Sequence, residues 1–280
     1  MTVTTSTTPA EMTASEFSAI ADMLDSEAAI QINEGQEYLV ESRLKPVLRQ
    51  FELSSISELV AGLKKNRALT DATIDAMTTN ETLFFRDRHP FDTIRDVLLP
   101  DLVAKNGAQP VTIWCAACSS GQEPYSLGMI LLDEFPTLVS SNRVRIVATD
   151  LSPTMIERCK EGRYSQFEVN RGLPAPLLIK HFDQVGRDWV AKPKLRGLVD
   201  FREHNLLGSW SDIPRCDIVL MRNVLIYFTM EVKATLLSNI RRDALKPGGA
   251  LFLGSSETTI NVDDAFEREQ RDRSVLYRAP

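Results

Sequence analysis

Several things are missing from this 280-residue chain, and each absence removes a class of function. No apolar run approaches the roughly 20 residues that a membrane-spanning helix needs. The first fourteen residues, MTVTTSTTPAEMTA, lack a basic start and an apolar stretch, so they do not read as a secretory leader. Net positive charge is absent: the formal charge is −6, which removes a whole-molecule nucleic-acid footprint and leaves room only for a local basic face. Histidine and cysteine are scarce, at 3 and 4 residues. Cys115-x-x-Cys118 has no second close Cys/His pair, so a four-ligand zinc site is not expected. His89, His181 and His204 show no ligand spacing, and no metal is expected. Four scattered cysteines suit a reduced, cytoplasmic protein. A GxGxxG run, the mark of a dinucleotide binder, is also missing.

What is present changes character near residue 80. Before it, apolar residues recur at helical spacing: Phe17, Ile20, Ala21 and Leu24, then Val40, Leu44, Val47, Leu48 and Phe51, with Pro46 as a kink or helix start. A third helix is expected over Ser57 to Lys65, and Asp71 is the expected cap of a fourth running towards Thr79. The expected division is a disordered tail over 1–14, a helical domain with a linker helix over 15–79, and a second domain over 80–280.

From about residue 110 apolar strands alternate with helices. Strands are expected at Val111 to Cys115, Val144 to Thr149, Val199 to Arg202, Asp217 to Met221, Ala250 to Gly254 and Val275 to Arg278. Helices are expected at Pro124 to Glu134, Pro153 to Glu161 and Glu231 to Leu245, the last closed by the turn Lys246-Pro247-Gly248-Gly249. This rhythm predicts a doubly wound α/β fold with a parallel sheet covered on both faces. Residues 163–198 break the rhythm and are expected to form an inserted subdomain.

Ligands of such sheets bind beyond the carboxyl ends of the strands. After the first strand comes AACSSGQE, residues 116–123. Small residues allow close backbone approach, and Glu123 enters the next helix's first turn. A carboxylate there repels phosphate and welcomes a cation, although the helix macrodipole favours it equally. Asp150 ends the second strand, where acids commonly take ribose hydroxyls. Asn205-Leu206 follows the third strand, placed to read an adenine edge with an amide and an apolar wall. Arg222-Asn223 ends the very apolar fourth strand, a poor place for an unpaired Arg.

Together these residues resemble a known family. The run Asn80-Glu81-Thr82-Leu83-Phe84-Phe85-Arg86 is similar to the N-x-T-x-F-F-R signature of CheR-type chemotaxis methyltransferases. AACSSGQEPYS, Asp150, Asn205-Leu206 and the run RNVLIYF over 222–228 follow in the family's order, and the resemblance spans about Glu16 to Tyr277. It implies a Rossmann-like class I methyltransferase sheet with a small all-helical N-terminal domain and an inserted β-subdomain. It implies methyl transfer from S-adenosylmethionine to glutamate side chains of chemoreceptor cytoplasmic helices, with S-adenosylhomocysteine as the other product. Implied cofactor contacts fall on Asn80, Thr82, Arg86, Glu123, Asp150, Asn205, Leu206, Arg222 and Asn223. Arg86 and Tyr227 fall near the transferred methyl. The N-terminal helices are implied to face the receptor, through Arg43, Lys45 and Arg49. Residues 163–198 look short for binding a receptor's C-terminal tether by strand addition, and Pro193 is expected to remove a donor from the pairing edge, so tether binding is not expected. The alternatives are a methyltransferase of another protein or small molecule, a nicotinamide oxidoreductase, and a non-catalytic cofactor-binding module.

Overall fold

The computed structural model describes residues 12–280 and divides into two compact units that part between Thr79 and Asn80. The expected tail lies outside the described residues over 1–11. Its last residues do not fit that expectation, because Met12 is buried and Thr13 builds a capping box. Glu16 N–H donates to Thr13 Oγ1 at 3.3 Å, and Thr13 N–H donates back to Glu16 Oε2 at 2.8 Å. Two of the orphan donors of helix α1 (Ala14–Ala28) are thereby satisfied.

Helices α2 (Glu37–Gln50), α3 (Ile56–Leu63) and α4 (Arg67–Met77) complete the first unit. Pro46 neither starts nor ends α2 but lies inside it. The cap of α4 is Asn66, whose Oδ1 accepts from Leu69 N at 3.3 Å, and Asp71 sits a turn further in. Arg43, expected on a receptor-facing surface, turns inward instead. Its Nη1 donates to the carbonyls of Met77 and Thr78 at 2.7 and 3.1 Å, closing the C-terminus of α4. A cation there satisfies carbonyls that the helix leaves open and complements its negative end.

The second unit begins with α5 (His89–Thr93), a π turn at Ile94–Leu98, and α6 (Leu99–Asn106). Strand β1 (Val111–Ala116) leads to α7 (Gln122–Glu134) and α8 (Pro136–Ser140). Then come β2 (Val144–Asp150) and α9 (Pro153–Glu161). The insertion holds β3 (Arg163–Ser165), α10 (Gln166–Asn170), α11 (Ala175–His181), β4 (Phe182–Val185), β5 (Asp188–Ala191) and α12 (Pro193–Arg196). After it come β6 (Val199–Glu203), β7 (Cys216–Met221), α13 (Met230–Asn239), β8 (Leu245–Leu253), β9 (Glu267–Arg271) and β10 (Ser274–Arg278).

Seven strands form one sheet in the order β6-β2-β1-β7-β8-β10-β9. The first five are parallel, while β10 runs antiparallel to both β8 and β9. Side-chain alternation divides the apolar residues between two cores. Ile113, Cys115, Ile218, Leu220, Ala250 and Phe252 enter one. Trp114, Ala116, Val219, Met221, Leu251 and Leu253 enter the other. Both faces are therefore covered, as near-continuous apolar strands require.

The largest boundary difference in the second unit lies where the last helix meets β8. The expected helix to Leu245 gives way at Ile240–Ala244 to a π turn, and Leu245 already pairs with Cys216. The Lys246–Gly249 turn is thus an irregularity inside β8, before Ile218 pairs with Ala250. Strand β9, with the sequence EREQR, lacks apolar alternation and was not expected. It is a sheet edge, where charge discourages pairing with other chains.

The insertion is a three-stranded antiparallel sheet, β3-β5-β4. Pro193 starts α12 and lies in no strand, so it removes no donor from an edge. Among the described residues β4 pairs on one side only.

Candidate active site

Strand order reverses between β1 and β7, so their carboxyl tips flank a natural crevice. The loop after β1 carries left-handed backbone at Ala117 (φ 57°), Ser119 (φ 51°) and Gly121 (φ 93°). Gly121 has no room for a side chain: a Cβ there would meet Cys159 Sγ at 2.9 Å and Tyr164 Oη at 3.1 Å. The loop is held from beneath by Tyr164 of the insertion, whose hydroxyl donates to the Ser120 carbonyl at 2.7 Å. Non-glycine residues in such backbone cost on the order of 1–3 kcal/mol each and persist only where surroundings over-determine them.

Asp150, at the tip of β2, is buried beside this loop. Its Oδ2 accepts from Ser119 N at 2.7 Å and its Oδ1 from Ser152 N at 2.9 Å. The carboxylate joins the first loop to the second and is oriented by both.

Arg222, just past β7, is the centre of the site. Its side chain is 1% exposed. Nη1 donates to Glu123 Oε2 at 2.8 Å, and Nη2 donates to Asp87 Oδ2 at 2.6 Å and to the Arg86 carbonyl at 2.8 Å. One guanidinium thus ties α7 to the Asn80–Arg86 run. Burial raises the Glu123 pKa, and the Arg222 cation opposes that rise. Nε of Arg222 is buried with no hydrogen-bond partner among the described residues.

The Asn80–Arg86 run is fixed at several points. The Asn80 carbonyl accepts from Ser119 Oγ at 2.9 Å, and Phe85 N donates to Ser126 Oγ on α7 at 3.0 Å. Phe84 is fully buried, edge-on to Tyr164 and Phe182 of the insertion at 5.1 and 5.7 Å. Gly172 (φ 90°) abuts the same residue, since a Cβ there would lie 2.1 Å from the Phe84 carbonyl. The insertion therefore braces the site. Phe85, Asp87 and Arg88 all have positive φ. Arg86 Nη1 donates to the Glu81 carbonyl at 3.1 Å, and Thr82 is half-buried in the same run.

Asn205 shapes its own turn, its Oδ1 accepting from Leu207 N at 2.9 Å. Leu206 is buried in the core with Trp114 and Trp210, so the exposed apolar residue at this tip is Leu207. Asn223 (φ 60°) leads into a short 3-10 turn, Leu225–Tyr227, whose Tyr227 is 40% exposed. The structure thus places Asp150, Asn205, Arg222 and Asn223 at strand tips, Glu123 in the first turn of α7, and Asn80 and Arg86 on the run that Arg222 ties to them. Sequence reasoning missed Asp87, Ser126 and Tyr164. Their signals were weak because each acts on a partner far away in the chain.

Cys115-x-x-Cys118 is no redox pair in outline: all four cysteines are buried free thiols, and burial pushes Cys115 and Cys118 well above the ordinary thiol pKa. Among the described residues no cluster of three or more His, Cys, Asp or Glu could hold a metal. No helix among them is long and apolar enough to cross a membrane.

Counting only strands of the large sheet in chain order, the arrangement reads 3-2-1-4-5-7-6, a class I methyltransferase sheet with acids at its first two tips. Residues 80–275 match the family model described as CheR methyltransferase, SAM binding domain, and residues 15–78 match CheR methyltransferase, all-alpha domain. The chain is 43% identical over 269 residues to chemotaxis protein methyltransferase 1 of Pseudomonas aeruginosa, covering 94% of this chain and 97% of that one. It is 40% identical over 270 residues to a chemotaxis protein methyltransferase of Pseudomonas putida, covering 94% and 98%. A chemotaxis protein methyltransferase of Vibrio parahaemolyticus is 40% identical over 271 residues, covering 94% and 96%. The chain belongs to the CheR methyltransferase family and is an S-adenosylmethionine-dependent methyltransferase.

The residues present suit that cofactor. Two carboxylates, the buried Asp150 and the partly buried Glu123, offer acceptors for a cationic group and for hydroxyls. The orphaned Arg222 Nε–H offers a donor to a carboxylate, and leaving such a donor unmet costs about 1–3 kcal/mol.

Proposed function

We propose that this enzyme methylates glutamate side chains on the cytoplasmic helices of chemoreceptors, giving γ-methyl esters. The observation that carries the reading is the Arg222 clamp, which fixes Glu123 of α7 and the Asp87–Arg86 loop to one buried cation. It joins the residues expected to hold the cofactor to the run that carries Arg86.

Bound S-adenosylmethionine supplies an electrophilic methyl group. A glutamate carboxylate, with an unperturbed pKa of about 4.3, is already ionised at neutral pH and needs no general base. The chain's task is therefore alignment and exclusion of water. Asp150 and Glu123 hold the cofactor, with Asn80, Thr82, Asn205, Arg222 and Asn223 as its further contacts and Leu207, in place of the core-buried Leu206, as the apolar wall. Arg86 orients the substrate carboxylate, and the half-exposed Tyr227 lines the methyl path. Arg86 Nη1 donates to the Glu81 carbonyl, which fixes the guanidinium and leaves its other donors for the substrate carboxylate.

Docking to the receptor falls to the exposed face of α2 that carries Lys45 and Arg49, with Arg43 reassigned to the α4 terminus. Local positive charge on an acidic enzyme steers a glutamate-bearing helix. No receptor tether is needed. Strand β4 is four residues long and presents only about two donor–acceptor pairs to an added strand. The setting is the cytoplasm, where receptor signalling helices lie.

Labelled S-adenosylmethionine incubated with receptor cytoplasmic fragments tests the reading. Base-labile methyl ester on glutamate is expected, with a slower rate for the Lys45→Glu/Arg49→Glu double variant at low salt. Base-stable product, or none, would overturn the substrate assignment. Micromolar binding of a receptor C-terminal peptide, lost on mutating β4, would overturn the tether-free reading.

A further inference from the structure

Glu257 lies four residues beyond the end of β8, in no motif that the function has absorbed. Its Oε2 accepts from Asn223 N at 2.8 Å and from Gly254 N at 2.6 Å, and its Oε1 accepts from Ile226 N at 3.2 Å. One side chain thus binds three backbone donors from two strand tips. The tips are pressed together around it: a Cβ on Gly254 would lie 2.6 Å from Asn223 Nδ2, 2.7 Å from Glu257 Oε2 and 2.9 Å from Asn223 N.

Core packing holds the middle of the turn that Glu257 grips, through buried Leu225 with Val224 and Phe228 against it, but not its exposed residues. Its own backbone bonds are Tyr227 N to the Val224 carbonyl at 3.2 Å and Phe228 N to the Leu225 carbonyl at 3.1 Å. Ile226 and Tyr227 are exposed, so burial contributes little there. Asn223 sits in left-handed backbone, which asparagine tolerates better than most residues and which turns the chain out of β7. A carboxylate accepting several backbone N–H groups is the kind of group that fixes such a turn.

We infer that Glu257 is a positioning residue for methyl transfer: it locks the 223–227 turn so that Asn223 and Tyr227 keep a fixed place at the reacting centre. This rests on the proposed roles of Asn223 and Tyr227. The three bonds divide the task. Oε2 fixes Asn223 against β8, and Oε1 fixes the start of the turn that carries Tyr227.

The full-length enzyme with Glu257→Gln, Glu257→Ala, Gly254→Ala and Tyr227→Phe substitutions provides the test. Each variant is measured for methyl-ester turnover, for S-adenosylhomocysteine affinity by calorimetry, and for thermal unfolding. Glutamine keeps one oxygen for Asn223 and Gly254 but sets an amide NH2 against Ile226 N–H. Its kcat is expected to fall about tenfold, with affinity near that of the native enzyme, because misplacing a group by an ångström costs up to on the order of 100-fold. Alanine is expected to lose both kcat and affinity. Gly254→Ala keeps the carboxylate but forces the tips apart, and is expected to lower kcat as well. Native kcat in a folded Glu257→Ala or Glu257→Gln protein overturns the inference. So does a loss of kcat and melting temperature in parallel with no split between kcat and affinity in the Gln variant. Tyr227→Phe leaves Glu257 and its three donors untouched. Full turnover in that variant overturns the role of the Tyr227 hydroxyl, and with it the part of the inference assigned to Oε1.

Discussion

Strand β7 has a buried charge at each end. At its start, Asp217 has a side chain 3% exposed; just past its end, Arg222 is 1% exposed. Asp217 Oδ2 accepts from Thr112 N on β1 at 2.8 Å and from Lys246 Nζ at 2.7 Å, while Oδ1 accepts from Asn106 Nδ2 at 3.0 Å. Two of these partners lie on β1 and β8, the strands that flank β7. They are in place as soon as the sheet forms. Arg222 instead draws on two segments that are remote in sequence, one before the sheet and one at the head of α7, and its Nε has no hydrogen-bond partner among the described residues. The lower charge stitches the sheet. The upper charge holds together the loops of the proposed cofactor site, an arrangement that the sheet alone does not need.

Substitutions at the two ends should therefore separate stability from binding. Arg222→Met is expected to have the largest effect. Removing one partner of a buried charge cluster costs about 3–5 kcal/mol, here divided between folding and cofactor binding. Thermal unfolding and calorimetry with S-adenosylhomocysteine should both show it, and native affinity in this variant would erase the distinction between the two ends. Asp150→Ala, at the neighbouring tip, is expected to lower S-adenosylhomocysteine affinity by on the order of 1.5–3 kcal/mol, the worth of hydrogen bonds to a charged group.

At the lower end, Asp217→Ala leaves Thr112 N–H and Lys246 without their acceptor. Unfolding should become easier by about 1–3 kcal/mol, with S-adenosylhomocysteine affinity and kcat unchanged once the protein is folded. A change in affinity would mean that the two ends are coupled through the strand. Lys246→Met is expected to do least. Its side chain is 35% exposed, which screens the pair, and the buried Asp217 carboxylate it leaves keeps the Thr112 N–H and Asn106 donors, so a cost of about 1 kcal/mol is expected, seen as a small shift in melting temperature.

Much of this was legible beforehand. The apolar runs of β1, β2 and β7 are unmistakable because parallel strands buried on both faces admit few polar residues. Pro153 and Gly162 bracket α9, which runs over the span its sequence marks. The strand-tip residues stood out because charged or polar groups there interrupt apolar segments. Other features had no local signal. Strand β9 reads as a charged loop. Asn66 and Asp71 are both acceptable helix caps, and only packing chose between them. Arg43 sits two residues from Lys45 in sequence, yet it faces the end of α4 while Lys45 faces solvent.

The sequence by itself determined the strand and helix rhythm, the two-unit division of labour it implies, and the identity of the polar groups at the strand tips. Periodicity and turn chemistry are local, so they survive translation into one dimension. Tertiary structure decided which of those groups meet. Arg222 finds Glu123 and Asp87 across 99 and 135 residues, and Glu257 finds Asn223 across 34. It also decided that the insertion is a brace, with Gly172 and Tyr164 set against the Phe84 carbonyl and the Ser120 carbonyl. Such pairings arise from chain reversal and close packing, where a few tenths of an ångström settle which donor reaches which acceptor, and no spacing along the chain encodes that distance.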